Sequence, residues 1–201
     1  MSLFCPATLI VARHGDAAYT VGADTLSDEG GVLTDLGRVQ AAALAEALRD
    51  RRIALVYTSP LGRAVETGMI VAQALGVPIR QQDGLQEFRV ADLAGARFDD
   101  DRLTTTYAAW LADDLSPRIP GGESGEEVLA RFGEALSSIA DLHRGETVLV
   151  ISHGGAMSLG LPRLALGAVP SPPPPLANCA HVEVQAGDDG WTLGPWPGAT
   201  R

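Results

Sequence analysis

Two histidines stand in matching settings. Leu9-Ile10-Val11-Ala12 is an apolar run that stops at Arg13-His14-Gly15, and Val148-Leu149-Val150-Ile151 stops at Ser152-His153-Gly154-Gly155. Open α/β folds bind ligands beyond the carboxyl ends of their strands, so two buried strands that each deliver a histidine to a glycine turn predict one shared site. A neutral imidazole nitrogen can attack phosphorus and split one hard displacement into two easier ones. His14 suits that role, because the Arg13 cation beside it disfavours the protonated ring. His153 suits a cationic or hydrogen-bonding ligand for the equatorial oxygens of a transferring phosphoryl group. Gly154, at the start of a predicted helix, is placed with the phosphate-binding residues.

Arg63 sits in the first turn of a helix predicted to open at Ser59-Pro60. The positive end of a helix opposes an arginine there, so stability does not account for it. Helix N–H groups together with a forked guanidinium do make an anion clamp. Glu87 lies in Leu85-Gln86-Glu87-Phe88 and is chemically able to act as a general acid and then a base. Most glutamates are simply exposed, and residue type alone does not single this one out among 25 acidic residues. No histidine pair has i, i+4 spacing and there is no His-Glu-x-x-His, so no metal is expected. Phosphate-loop, dinucleotide and Gly-x-Ser-x-Gly signatures are absent too, and no cofactor is expected. His143 and His181 are read as lying outside the site.

The elements that must carry these residues follow from patterning. A buried strand is predicted over 8–12, a loop over 15–33, and a helix over 35–49 capped by Thr34, with Leu36, Val39, Ala43, Ala47 and Leu48 on its apolar face. A strand over 53–57 leads to the helix opened by Ser59, with Leu61, Val65, Met69 and Ala72 buried and Gly76 as C-cap. A third strand is predicted over 77–80 and a short helix over 104–112. Ser124 and Glu127 form a capping box ahead of a helix that buries Val128, Phe132, Leu136 and Ile139. The helix beginning at Gly154 is expected to kink or end at Pro162. Four prolines at 172–175 mark an extended loop, and a hairpin over 181–193 turns at Asp189-Gly190. Alternating strands and helices imply a three-layer α/β/α sandwich on a mixed, mostly parallel sheet. With 201 residues, one domain spanning 1–201 is expected.

A net charge of −10 argues against nucleic-acid and anionic-membrane partners. Cys5 and Cys179 lie far apart, which argues against a disulfide framework and for a reducing compartment. The N-terminal apolar run is short and ends in Arg13, neither a leader nor a membrane span, so a cytoplasmic protein is expected. The oligomeric state is left open, a dimer included.

Six motifs in order carry a family resemblance: Leu-Ile-Val-Ala-Arg-His-Gly at 9–15, Leu-Thr-Asp-Leu-Gly-Arg-Val-Gln-Ala at 33–41, Thr-Ser-Pro-Leu-Gly-Arg-Ala-Val-Glu-Thr at 58–67, Leu-Gln-Glu-Phe at 85–88, Pro-Gly-Gly-Glu-Ser at 120–124 and Val-Ile-Ser-His-Gly-Gly at 150–155. The chain resembles the phosphoglycerate-mutase-like histidine phosphatases, branch 1, over about 8–184. That resemblance implies His14 as the nucleophile that becomes phosphohistidine, Arg13, Arg63 and His153 around the phosphate, and Glu87 as proton donor. It also implies the family's α/β sandwich and no required metal. Many members carry Glu or Gln, then Thr or Ser, and later Asn after Arg-His-Gly, where this chain has Asp16, Ala17 and Thr20. The Trp-Glu-Gly segment common in the family is reduced here to Leu93-Ala94-Gly95. These departures bear on the substrate rather than on the phosphate chemistry. The expected activity is hydrolysis of a small phosphomonoester, with an optimum at acid to neutral pH. The alternatives are a cofactor-dependent phosphoglycerate mutase and a non-catalytic phospho-ligand binding module.

Overall fold

In the computed structural model, residues 5–19, 25–167 and 169–198 are described, and Thr20 lies outside them. The chain alternates strands and helices: β1 (Ala7–Arg13), the two-residue pair β2 (Ala17–Ala18) and β3 (Val32–Leu33), α1 (Asp35–Ala47), β4 (Ile53–Thr58), α2 (Gly62–Leu75), β5 (Ile79–Gln81), α3 (Asp101–Leu111), α4 (Gly125–Leu142), β6 (Thr147–Ser152), α5 (Gly154–Leu164), β7 (His181–Gly187) and β8 (Gly190–Leu193). Among the described residues, six strands form the main sheet in the order β5-β4-β6-β1-β7-β8. The pairs β5–β4, β4–β6 and β6–β1 are parallel, whereas β7 and β8 run antiparallel. β2 and β3 pair with each other inside the segment expected to be loop.

Strand alternation splits the core into two faces. Leu9, Val11, Val148 and Val150 face Val128, Phe132, Leu136 and Ile139 of α4, together with residues of α5. Ile10, Ala12, Leu149 and Ile151 face Leu44 and Ala45 of α1 and Ala64 and Val71 of α2. Helices on both faces of a mostly parallel sheet are the expected α/β/α layering. The capping box at Ser124 and Glu127 is present in full. No helix among the described residues is long and apolar enough to cross a membrane.

The structure corrects five local expectations. Of the face predicted for α1, only Leu48 is buried, while Leu36 and Val39 are 57% and 66% exposed. The helix instead turns Gly37, Ala41, Leu44 and Ala45 inward. Close approach decides this, since a Cβ on Gly37 would overlap the Asp16 carbonyl. In α2 the buried face holds Arg63, Ala64, Thr67, Gly68, Val71 and Ala72, and Met69 is exposed. Gly68 has no room for a Cβ against Thr58 of β4, which fixes the rotation and brings Arg63 inward. Leu61, not Ser59, is the N-cap residue of α2, so Pro60 precedes the helix. Pro162 does not end α5 at once, since the helix runs on to Leu164. It falls in the last turn, where few bonds remain to be lost, and Arg163 Nη1 donates to the Leu159 carbonyl at 2.7 Å. The β7–β8 turn is also shifted by one residue, to Asp188-Asp189, because Gly187 and Gly190 pair.

Candidate active site

β1 and β6 are adjacent and parallel, with Arg13 in register with Ser152. Their carboxyl ends therefore lie side by side, and the His14 N–H donates to the Ser152 carbonyl at 3.0 Å. The His14 and His153 ring centroids are 5.1 Å apart. β4 ends on the other side of β6, where the Ser59 N–H donates to the Ile151 carbonyl at 2.9 Å. Three neighbouring strand ends thus supply His14, His153 and Ser59.

His14 is 5% exposed and anchored on both ring nitrogens. Nδ1 lies 2.7 Å from the Gly15 carbonyl oxygen, which can only accept, so Nδ1 carries the proton. That leaves a lone pair on Nε2, which accepts from Arg63 Nε at 3.0 Å. Burial, then the Arg63 charge, pulls the His14 pKa down to about 3, with Arg13 adding to the shift and the Gly15 bond opposing it. The ring is consequently neutral across physiological pH, as a nitrogen nucleophile must be. The turn is held from outside: Gly15 N–H donates to Thr67 Oγ1 at 3.0 Å, and Asn178 Nδ2 donates to the His14 carbonyl at 3.1 Å. Arg63 Nη1 donates to the carbonyls of Glu29 and Gly30, and its guanidinium lies 5.4 Å over the Tyr19 ring.

His153 is fully buried. Burial first, then Arg63, pushes its pKa well down. Of the two expected roles, cation or hydrogen-bonding ligand, the buried neutral ring fits the second. Nε2 lies 2.8 Å from Ser59 Oγ, which already accepts the Leu61 N–H at 3.2 Å. If the Ser59 hydroxyl donates to Nε2, the His153 proton sits on Nδ1. That atom is buried without a partner, as are Arg13 Nε and Thr58 Oγ1 among the described residues. Arg13 Nε and His153 Nδ1 are then obligate donors, and unpaired buried donors call for an acceptor.

Arg13 Nη1 donates to the Leu176 carbonyl at 2.6 Å, in the segment that follows the four prolines. Its stem packs on Gly154, where a Cβ would sit 3.4 Å from Arg13 Cδ and Nε. Glu87 reaches the start of α5: Gly155 N–H donates to Oε2 at 2.9 Å, and the N–H groups of Ala156 and Phe88 donate to Oε1 at 2.8 and 3.2 Å. Oε2, with a single donor, keeps a lone pair for a proton in transit. Arg13, His14, Arg63, Glu87 and Gly154 line one cleft of about 1060 Å³. His153 does not line the cleft but lies behind it, against the His14 ring, so the residues singled out from sequence are near one another in space. The residues missed are Ser59, Thr67, Asn178 and Leu176. Ser59 carries a signal in its Thr-Ser-Pro motif, although serine before proline also suits a helix cap; Leu176 acts through its carbonyl and leaves none. Among the described residues no group of three or more His, Cys, Asp or Glu side chains is placed to hold a metal ion.

The model of the histidine phosphatase superfamily (branch 1) matches residues 9–197. The chain belongs to that superfamily. Over 193 residues it is 28% identical to the metal-independent phosphoserine phosphatase of Arabidopsis thaliana, covering 94% of this chain and 80% of that one. It is 30% identical over 196 residues to a probable phosphoglycerate mutase of Salmonella choleraesuis, covering 92% and 88%. A mycobacterial glucosyl-3-phosphoglycerate phosphatase, solved with VO3, superposes with a TM-score of 0.79 at 25% identity, covering 96% and 99%.

Proposed function

We propose that this histidine phosphatase family member hydrolyses a small phosphomonoester through a phosphohistidine on His14. The observation that carries the reading is the setting of His14, with Nδ1 on the Gly15 carbonyl and Nε2 on Arg63, beside two buried nitrogens without partners, Arg13 Nε and His153 Nδ1. Nε2 attacks phosphorus in line, and the bond from phosphorus to the ester oxygen breaks. A proton carried by Glu87 goes to the departing alkoxide. The carboxylate so formed then takes a proton from water, whose oxygen attacks the phosphohistidine and releases inorganic phosphate. Arg13, Arg63 and the His153 N–H carry the charge on the equatorial oxygens, which is the main task in phosphoryl transfer. The site draws on residues from 13 to 178, so we treat the chain as one catalytic domain. Its two free cysteines fit a cytoplasmic setting.

Hydrolysis of an aryl phosphate between pH 4 and 8 with a chelator present, alongside His14→Ala, tests this. Chelator-resistant turnover that vanishes in His14→Ala is the expected result, and turnover that survives the substitution overturns it. The likeness to a probable mutase supports a second reading. Under it, activity on phosphoglycerate requires a bisphosphate primer and water is a poor acceptor.

A further inference from the structure

A cleft of about 1060 Å³ is in the range that encloses a drug-sized ligand and is far larger than a phosphate group requires. Arg13, His14 and Arg63 account for the phosphate. The remaining lining is mainly apolar and includes Phe88, Val90, Phe98, Leu103, Pro173 and Pro175. Phe88 is a fixed wall, packed edge-on against Trp110 at 5.5 Å and beside Tyr107 at 5.5 Å. Phe98 is 51% exposed although it lines the cleft, so an apolar ligand would cover it.

The charges point the same way. The chain contains no lysine, so every permanently cationic side chain is an arginine. Beyond Arg13 and Arg63, only Arg89 and Arg131 line the cleft among the described residues, against Asp28, Glu87 and Glu123. Arg131 is fully engaged: it donates to the Glu123 carboxylate and to the carbonyls of Gly84, Gln86 and Glu87. Asp28 and Glu123 hold the backbone N–H groups of Arg89, Val90 and Ala91. Both carboxylates line the cleft, Glu123 being paired with Arg131 as well. A carboxylate or second phosphate would find Arg89 alone, and would find it in acidic company.

We infer that the preferred substrate carries one phosphate on an uncharged, apolar alcohol of about aromatic-ring size. This rests on the phosphatase reading above and names its substrate class. The test compares kcat/KM of the full chain for four phosphates of alkyl alcohols, so that leaving-group reactivity is similar: 2-phenylethyl phosphate, glycerol 2-phosphate, phosphoserine and 3-phosphoglycerate. The expected order places 2-phenylethyl phosphate first by at least about tenfold, with Phe98→Ala narrowing that preference by on the order of tenfold, chiefly through KM. A preference for 3-phosphoglycerate or phosphoserine overturns the inference while leaving the phosphatase reading intact. If that preference collapses in Arg89→Ala, Arg89 is the acid-binding group instead. Inertness toward all four and toward an aryl phosphate overturns both.

Discussion

Ser59→Ala isolates the reasoning about His153. The substitution removes the one partner of a fully buried imidazole nitrogen, at 2.8 Å, together with the oxygen that accepts the Leu61 N–H. A buried group left unsatisfied costs about 1–3 kcal/mol. A loss near 2 kcal/mol lowers the melting temperature of a domain this size by about 4–8 °C. The catalytic effect follows from the tautomer. With the hydroxyl gone, the tautomer with the His153 proton on Nδ1 is no longer favoured, and the N–H proposed to bind the transferring group is weakened. Complete removal of such a donor costs about 10²–10³ in kcat, so Ser59→Ala is expected to lose about tenfold or more, with KM little changed. Ser59→Thr keeps the hydroxyl and should recover most of the rate. Single-turnover measurement of kcat on an aryl phosphate, paired with thermal melts, separates the two effects. In a double-mutant cycle with His153→Ala, the Ser59 effect on kcat should largely disappear. A lowered melting temperature with an unchanged kcat would refute the proposed chain from Ser59 through His153 to phosphate.

Other perturbations reach the site by different routes. A Cβ in Gly155→Ala would lie 2.7 Å from Glu87 Oε1 and closer still to the Phe88 ring. Steady-state kinetics should show kcat down about 100-fold as the proton carrier is displaced. Because the folded-state pKa of His14 is lowered from 6.5 to about 3, the unfolded chain binds a proton that the folded chain refuses. Stability is then lost as pH falls below 6.5, by up to about 1.4 kcal/mol per pH unit, and buried His153 adds in the same direction. Urea melts from pH 7 to 5 should show that slope, and His14→Ala should flatten it. Trp196 Nε1 donates to the Pro174 carbonyl at 2.9 Å and so pins the proline segment that lines the cleft. Trp196→Phe removes a bond worth about 1 kcal/mol, and KM should rise about fivefold with a smaller change in kcat.

The parts of the site built from strand ends were legible in the sequence, because an apolar run that halts at a histidine and a glycine marks both the strand and its terminus. His14 and His153 could be paired on that ground alone. Arg63 was legible as an anomaly, a cation at the wrong end of a helix. Glu87 was not, because what distinguishes it is contact with the N–H groups of Gly155 and Ala156, 68 and 69 residues away. The failed face of α1 has a related cause. Periodicity weighs large apolar side chains, whereas this helix is seated by Gly37, Ala41 and Ala45, whose smallness lets the backbone approach. Ser59 was misread for a similar reason: its type and the proline after it suit a cap, and only the parallel register of β4 and β6 sets it beside His153.

The placement of β1 bears on how the protein comes into being. β1 is flanked by β6 and β7, the nearer of which begins at Thr147. During synthesis His14 therefore leaves the ribosome well before either strand that will flank it. The carbonyl that orients Arg13 belongs to Leu176, and the amide that pins the His14 carbonyl belongs to Asn178. Such long closures are slow to form. A nascent chain thus carries a histidine without its machinery until most of the polypeptide has emerged, and the onset of hydrolysis in a translation reaction would report the closing of the sheet.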